Sequence, residues 1–162
     1  MRTIRKVSEA EVLDCFWQGE LAASSRWTDA EVEERKRTWR ERIGLFHGFP
    51  HDVEWERVAL TTDEVLGILY IDWDWWLRVS NGTRLATVAA EVQGRDDGDR
   101  AIAAAVDTNS ELIVVTDPAH SRLVLLEGHV RLTAYAAFPE YLPADLELYL
   151  GASPSIADWS EF

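Results

Sequence analysis

The chain has one cysteine, one methionine and only 16 basic residues against 29 acidic ones in its 162 residues. A lone cysteine, Cys15, excludes an internal disulfide and a cysteine-rich metal site. No apolar run approaches the ~20 residues that cross a bilayer, and no basic-plus-apolar leader opens the sequence. A soluble, cytoplasmic protein with no membrane partner is therefore expected. The shortage of cations leaves a formal net charge of −13. Such a surface repels polyanions, so nucleic acid is disfavoured as a partner. With 47% hydrophobic and 28% charged residues, the chain is not disordered, and its length predicts one globular unit with a real core. Eight tryptophans are many for this size, and most are expected in core or interface packing, because indole brings large apolar area with a single N–H to satisfy.

Helix starts punctuate the first third. Ser8 followed by Glu11, and Thr28 followed by Glu31, have capping-box spacing. The first helix would bury Val12, Leu13, Phe16 and Trp17 and end near Gly19. The second would carry a narrow stripe of Val32, Trp39 and Ile43 and end at Gly44. Its basic run, Arg35, Lys36, Arg37, Arg40 and Arg42, interleaves with acids as on a solvated face. Phe46 to Asp52 holds His47 and His51, but Gly48 and Pro50 make it a turn-rich connector whose phenylalanines pack inward. Residues 1–55 thus read as an N-terminal helical extension, and 56–162 as the main domain.

Trp55 to Leu60 reads as the first strand, and Thr61 caps a helix running through Val65, Leu66, Leu69 and Tyr70. Ile71-Asp72-Trp73-Asp74-Trp75-Trp76-Leu77-Arg78-Val79 fits helix or edge strand equally. Its aromatics suit core or interface packing, or a wall against which a flat ligand stacks. Ser80-Asn81-Gly82-Thr83-Arg84 is a turn, and a glycine, hydroxyls and an arginine in one loop also suit an anion grip. A helix from Leu85 to Val92, a charged loop from Gly94 to Arg100 and a short helix from Ala101 to Val106 follow. Leu112 to Val115 is a buried strand, Asp117 to Ser121 a turn, and Arg122 to Leu126 the antiparallel return strand. Leu146 to Leu150 alternates as the last strand.

The return strand ends in Glu127-Gly128, and a helical pattern starts with His129 and Arg131 in its first turn. A strand feeding a helix through glycine leaves backbone N–H groups free to meet an anion, above all a phosphate. Arg131 supplies a bidentate fork. His129 at a helix N-terminus is favoured in its neutral form, as donor or base. Glu127 stands as base, hydroxyl acceptor or metal ligand.

Glu127-Gly128-His129-Val130-Arg131-Leu132-Thr133-Ala134-Tyr135 after an apolar strand resembles the signature box of the ParB/sulfiredoxin superfamily. The likeness covers roughly residues 84–151, from the helix before Glu111–Pro118 to the strand Leu146–Gly151. It implies an α+β fold, a small mixed sheet flanked by helices. It also implies a nucleotide or other phosphorylated small molecule at the strand–glycine–helix turn, with phosphotransfer or nucleotide hydrolysis as the activity. Glu127 and His129 would then be catalytic, and Gly128, Arg131 and Thr133 would bind phosphate with Ser80, Thr83 and Arg84 in support. Mg²⁺ on Glu127 and Asp74, with ATP, ADP or CTP, would complete the site. Val130 replaces the second histidine of the group's kinases. The box has no cysteine for sulfiredoxin chemistry, and no helix-turn-helix follows. The contrasting reading is a non-catalytic interaction module, of an immunity or regulatory kind. In it the box is a folding element and an acidic, tryptophan-rich N-terminal half binds a basic protein.

Overall fold

Leu112-Ile113-Val114-Val115 has an apolar side chain on both rows of a strand, a pattern stable only between two covering layers. The computed structural model of the chain describes residues 1–23, 28–38, 45–94, 96–105 and 109–162, and it gives those four residues that setting. Leu112 and Val114 enter one apolar cluster, Ile113 and Val115 the other, and all four are fully buried. They belong to strand β3 (Asn109–Thr116), inside a five-stranded sheet of order β1-β2-β5-β3-β4. The remaining strands are β1 (Arg2–Lys6), β2 (Glu54–Leu60), β4 (Val124–Glu127) and β5 (Leu146–Ala152). The β3–β5 pair is parallel and the other three are antiparallel, so the sheet is mixed. The protein is α+β.

Seven α-helices are described: α1 (Glu9–Ala23), α2 (Asp29–Arg37), α3 (Thr62–Leu66), α4 (Asp74–Val79), α5 (Ala86–Gln93), α6 (Asp97–Ala104) and α7 (His129–Ala137). One sheet face is covered by α3, α5, α6 and α7, through Val65, Ala86, Ala89, Ala103, Leu132 and Tyr135. The other is covered by α1 through Val12, Phe16 and Trp17, joined by Phe46, Phe49 and Trp159. Edge-to-face ring contacts from Phe16 through Phe46 and Phe49 to Trp159 tie this second layer together.

Local signals set most element starts. Ser8 Oγ accepts the Glu11 N–H, and the Thr28 and Thr61 capping boxes are complete in both directions. Asp117 Oδ1 accepts the Ala119 N–H at 2.7 Å, which turns β3 back towards β4.

Several boundaries differ from the sequence reading. Residues 1–55 are not purely helical, because Arg2–Lys6 forms the edge strand β1 on β2. Its side chains are exposed throughout, so no apolar alternation announced it. Helix α1 runs past Gly19 to Ala23. Helix α3 stops at Leu66, and Leu69 instead bridges to Leu85 and Val124. Helix α6 begins at Asp97 inside the supposed charged loop, because Asp96 Oδ1 caps it by accepting the Asp99 N–H at 2.8 Å. The expectations for Trp39, Arg40, Arg42, Ile43, Gly44 and Val106 lie outside the described residues.

Candidate functional site

Helix α7 leaves β4 through Gly128, whose φ of 102° is a conformation L side chains rarely adopt. A Cβ at Gly128 would also lie 2.4 Å from Leu112 Cδ2. The glycine therefore lets the turn close onto β3, a packing requirement that needs no ligand. No side chain caps the first turn of α7. Glu127 and Arg131 flank that turn, both about a quarter exposed, with Glu127 Oε1 3.9 Å from Arg131 Nη2. Val130 between them is 60% exposed.

His129, expected as a catalytic residue, sits in an aromatic stack. Its ring stacks on Trp76 with centroids 4.6 Å apart and planes 16° apart, and Tyr70 lies 5.7 Å away at 21°. Nε2 is shut off from solvent and has no hydrogen-bond partner. Burial pushes the imidazole pKa from 6.5 down to about 3. With Nε2 sealed and unpartnered and the ring held neutral through the physiological range, that nitrogen is not placed to exchange protons with solvent. The ring's role is that of a flat spacer joining α7 to α4.

Thr133 serves the same packing. Its Oγ1 donates to the His129 carbonyl at 2.8 Å and lies 2.6 Å from Tyr70 Oη. Burial in turn pushes the Tyr70 phenol up to about 12.

The Ser80-to-Arg84 loop, expected as an anion grip, directs its polar groups to the backbone. Ser80 Oγ is fully engaged, donating to the Trp76 carbonyl at 2.6 Å and accepting the Arg84 N–H at 2.9 Å. Thr83 Oγ1 donates to the Ser80 carbonyl at 2.7 Å. Arg84 is buried at φ 63°. Its guanidinium donates to the backbone oxygens of Tyr70 at 2.6 Å, Phe162 at 2.9 Å and Glu161 at 3.0 Å. The fork is spent on carbonyls before any phosphate arrives.

The metal assignment finds no support in the donor set. Among the described residues no group of three or more His, Cys, Asp or Glu converges to hold an ion. Glu127 faces the Arg131 cation, and Asp74 stands exposed at the first position of α4.

What sequence reasoning could not separate is the fate of each tryptophan. Trp17, Trp55 and Trp159 are buried, Trp76 is half-buried in the stack, but Trp73 and Trp75 are 41% and 58% exposed. They border α4, a helix with no buried residue, and the exposed carboxylates Asp72 and Asp74 alternate with them. The segment is nevertheless well held. The Asp72 N–H donates to the Glu161 carbonyl at 3.1 Å, the Tyr70 N–H donates to the Arg84 carbonyl at 2.8 Å, and Trp76 anchors the far side through His129. Two indoles and two carboxylates are thus presented to solvent on a fixed frame.

Comparison with protein-family models, with curated proteins and with solved structures finds no match to this chain, so these geometries alone bear on its function.

Proposed function

We propose that this protein is a non-catalytic interaction module that docks a positively charged partner segment on the exposed Asp72–Trp75 surface. The observation that carries the reading is the exposure of Trp73 and Trp75 at the start of α4, a helix that packs inward through Trp76 and Val79. Exposed indole costs solvation free energy on an isolated protein, and tryptophan is among the residues most enriched at interface hot spots. The net charge of −13 selects the sign of the partner. Held as it is, the segment needs little ordering when a partner binds.

The test uses a labelled peptide of alternating lysine and arginine, followed by fluorescence anisotropy. The wild-type protein binds it, and a Trp73→Ala/Trp75→Ala double variant with unchanged circular dichroism binds at least tenfold more weakly. Equal binding by both proteins would refute the reading.

A second reading rests on the uncapped first turn of α7 beside Arg131. In it the likeness to the ParB/sulfiredoxin box reflects a shared fold and a bound nucleotide or phosphorylated small molecule. It is favoured instead if a nucleotide–Mg²⁺ panel raises the melting temperature and Arg131→Ala abolishes the rise. Saturation at ~100 times the dissociation constant adds about 2.7 kcal/mol of stability.

A further inference from the structure

We infer that the Asp72–Trp75 surface recognises arginine side chains in particular and discriminates against lysine. The inference rests on the docking reading above and names the chemistry that the docked segment must carry. Two features of the surface make the distinction.

The first is the alternation of exposed indoles with exposed carboxylates along the segment. A guanidinium is planar and weakly hydrated, so it stacks on an aromatic face and still offers N–H donors to a neighbouring carboxylate. An ammonium is a compact, strongly hydrated point charge that must shed water to do the same. Among the described residues Asp74 has no ion-pair or hydrogen-bond partner, and it stands between the two indoles in sequence. Asp72 lies only within 4.0 Å of the buried Arg84 Nη1 and keeps nearly half of its side-chain surface. Both carboxylates are available to a second cation.

The second is how this chain treats its own arginines. Arg57 lies over the Tyr149 ring at 4.6 Å, Arg122 over Phe162 at 4.0 Å and Arg100 over Phe138 at 5.3 Å. Among the described residues no cation lies over Trp73 or Trp75, although indole is the strongest acceptor of one. Among the described residues, Trp73 and Trp75 are the indoles with the largest exposed faces. An arginine from another chain completes the pattern used internally.

Two labelled octapeptides, one of arginine and one of lysine, are titrated against the full protein at 0.15 M salt, with Trp73→Ala/Trp75→Ala and Asp74→Asn as variants. The arginine peptide binds about tenfold more tightly than the lysine peptide, as one or two stacked guanidiniums would give. In the double-tryptophan variant that ratio collapses to below twofold, and Asp74→Asn weakens both peptides, the arginine peptide more, so that the ratio falls without vanishing. Equal wild-type affinities that both fall in the double-tryptophan variant would overturn arginine selectivity and leave the docking surface standing. A preference that survives loss of both indoles would place it elsewhere and overturn the inference. Absence of binding by either peptide would overturn both claims.

Discussion

Acidifying the protein from pH 7.5 to 5 should remove about 2 kcal/mol of folding stability through His129 alone. The imidazole packs against Trp76 and Tyr70 with Nε2 sealed and unpartnered, which holds its folded pKa near 3 against 6.5 in the unfolded chain. A base with a depressed folded pKa takes up its proton first in the unfolded state. Its contribution is complete above the unfolded value, falls by about 1.4 kcal/mol per pH unit below that value, and levels off only under the folded value. One and a half units below 6.5, this comes to about 2 kcal/mol. Urea unfolding of wild type and His129→Phe at both pH values reads it directly. The variant keeps a flat ring in the stack and has no proton to gain, so the stability gap between the two proteins should move by about that amount. Depressed carboxylates such as Glu11 and Glu64 titrate in both proteins and cancel from the gap. A gap unchanged with pH, or an imidazole resonance titrating near 6.5, would refute the packing argument. It would also return His129 to the list of possible bases.

Two other substitutions probe the frame beneath the docking surface. Gly128→Ala forces a side chain into positive φ and onto Leu112, and should cost about 2–3 kcal/mol in chemical denaturation; a loss under ~0.5 kcal/mol would show that the turn relaxes freely. Arg84→Lys replaces a fork serving three backbone oxygens with a single ammonium. It should cost about 2–4 kcal/mol and speed proteolysis near Glu161 and Phe162, whereas an unchanged digestion pattern would contradict the clamp.

The elements with strong local causes were legible before any coordinates. Ser8, Thr28 and Thr61 announced helices because a hydroxyl at the cap accepts the orphan backbone N–H three residues on. Leu112–Val115 announced a doubly covered strand by lacking polar residues. Strand β1 was hidden because all of its side chains face solvent, so no apolar alternation marks it. The surroundings of the candidate site were hidden for a similar reason. Glu127, Gly128, His129 and Arg131 do adjoin one turn, but their spacing says nothing of Trp76, more than fifty residues away, which covers the imidazole. Nor does the Ser80-to-Arg84 string disclose that its polar groups are consumed by one another and by the backbone near Phe162. Exposure of Trp73 and Trp75 is a tertiary outcome of the same kind. Alternation with aspartate was its only local trace.

The indole N–H resonances report most directly on where a partner sits, because each tryptophan contributes one signal. Titrating ¹⁵N-labelled protein with the arginine octapeptide should shift the signals of Trp73 and Trp75, assigned by substitution, and leave those of Trp17, Trp55 and Trp159 in place. Shifts confined instead to the amides of Val130 and Arg131, produced by a nucleotide and not by the peptide, would contradict the account and move the functional centre to the start of α7.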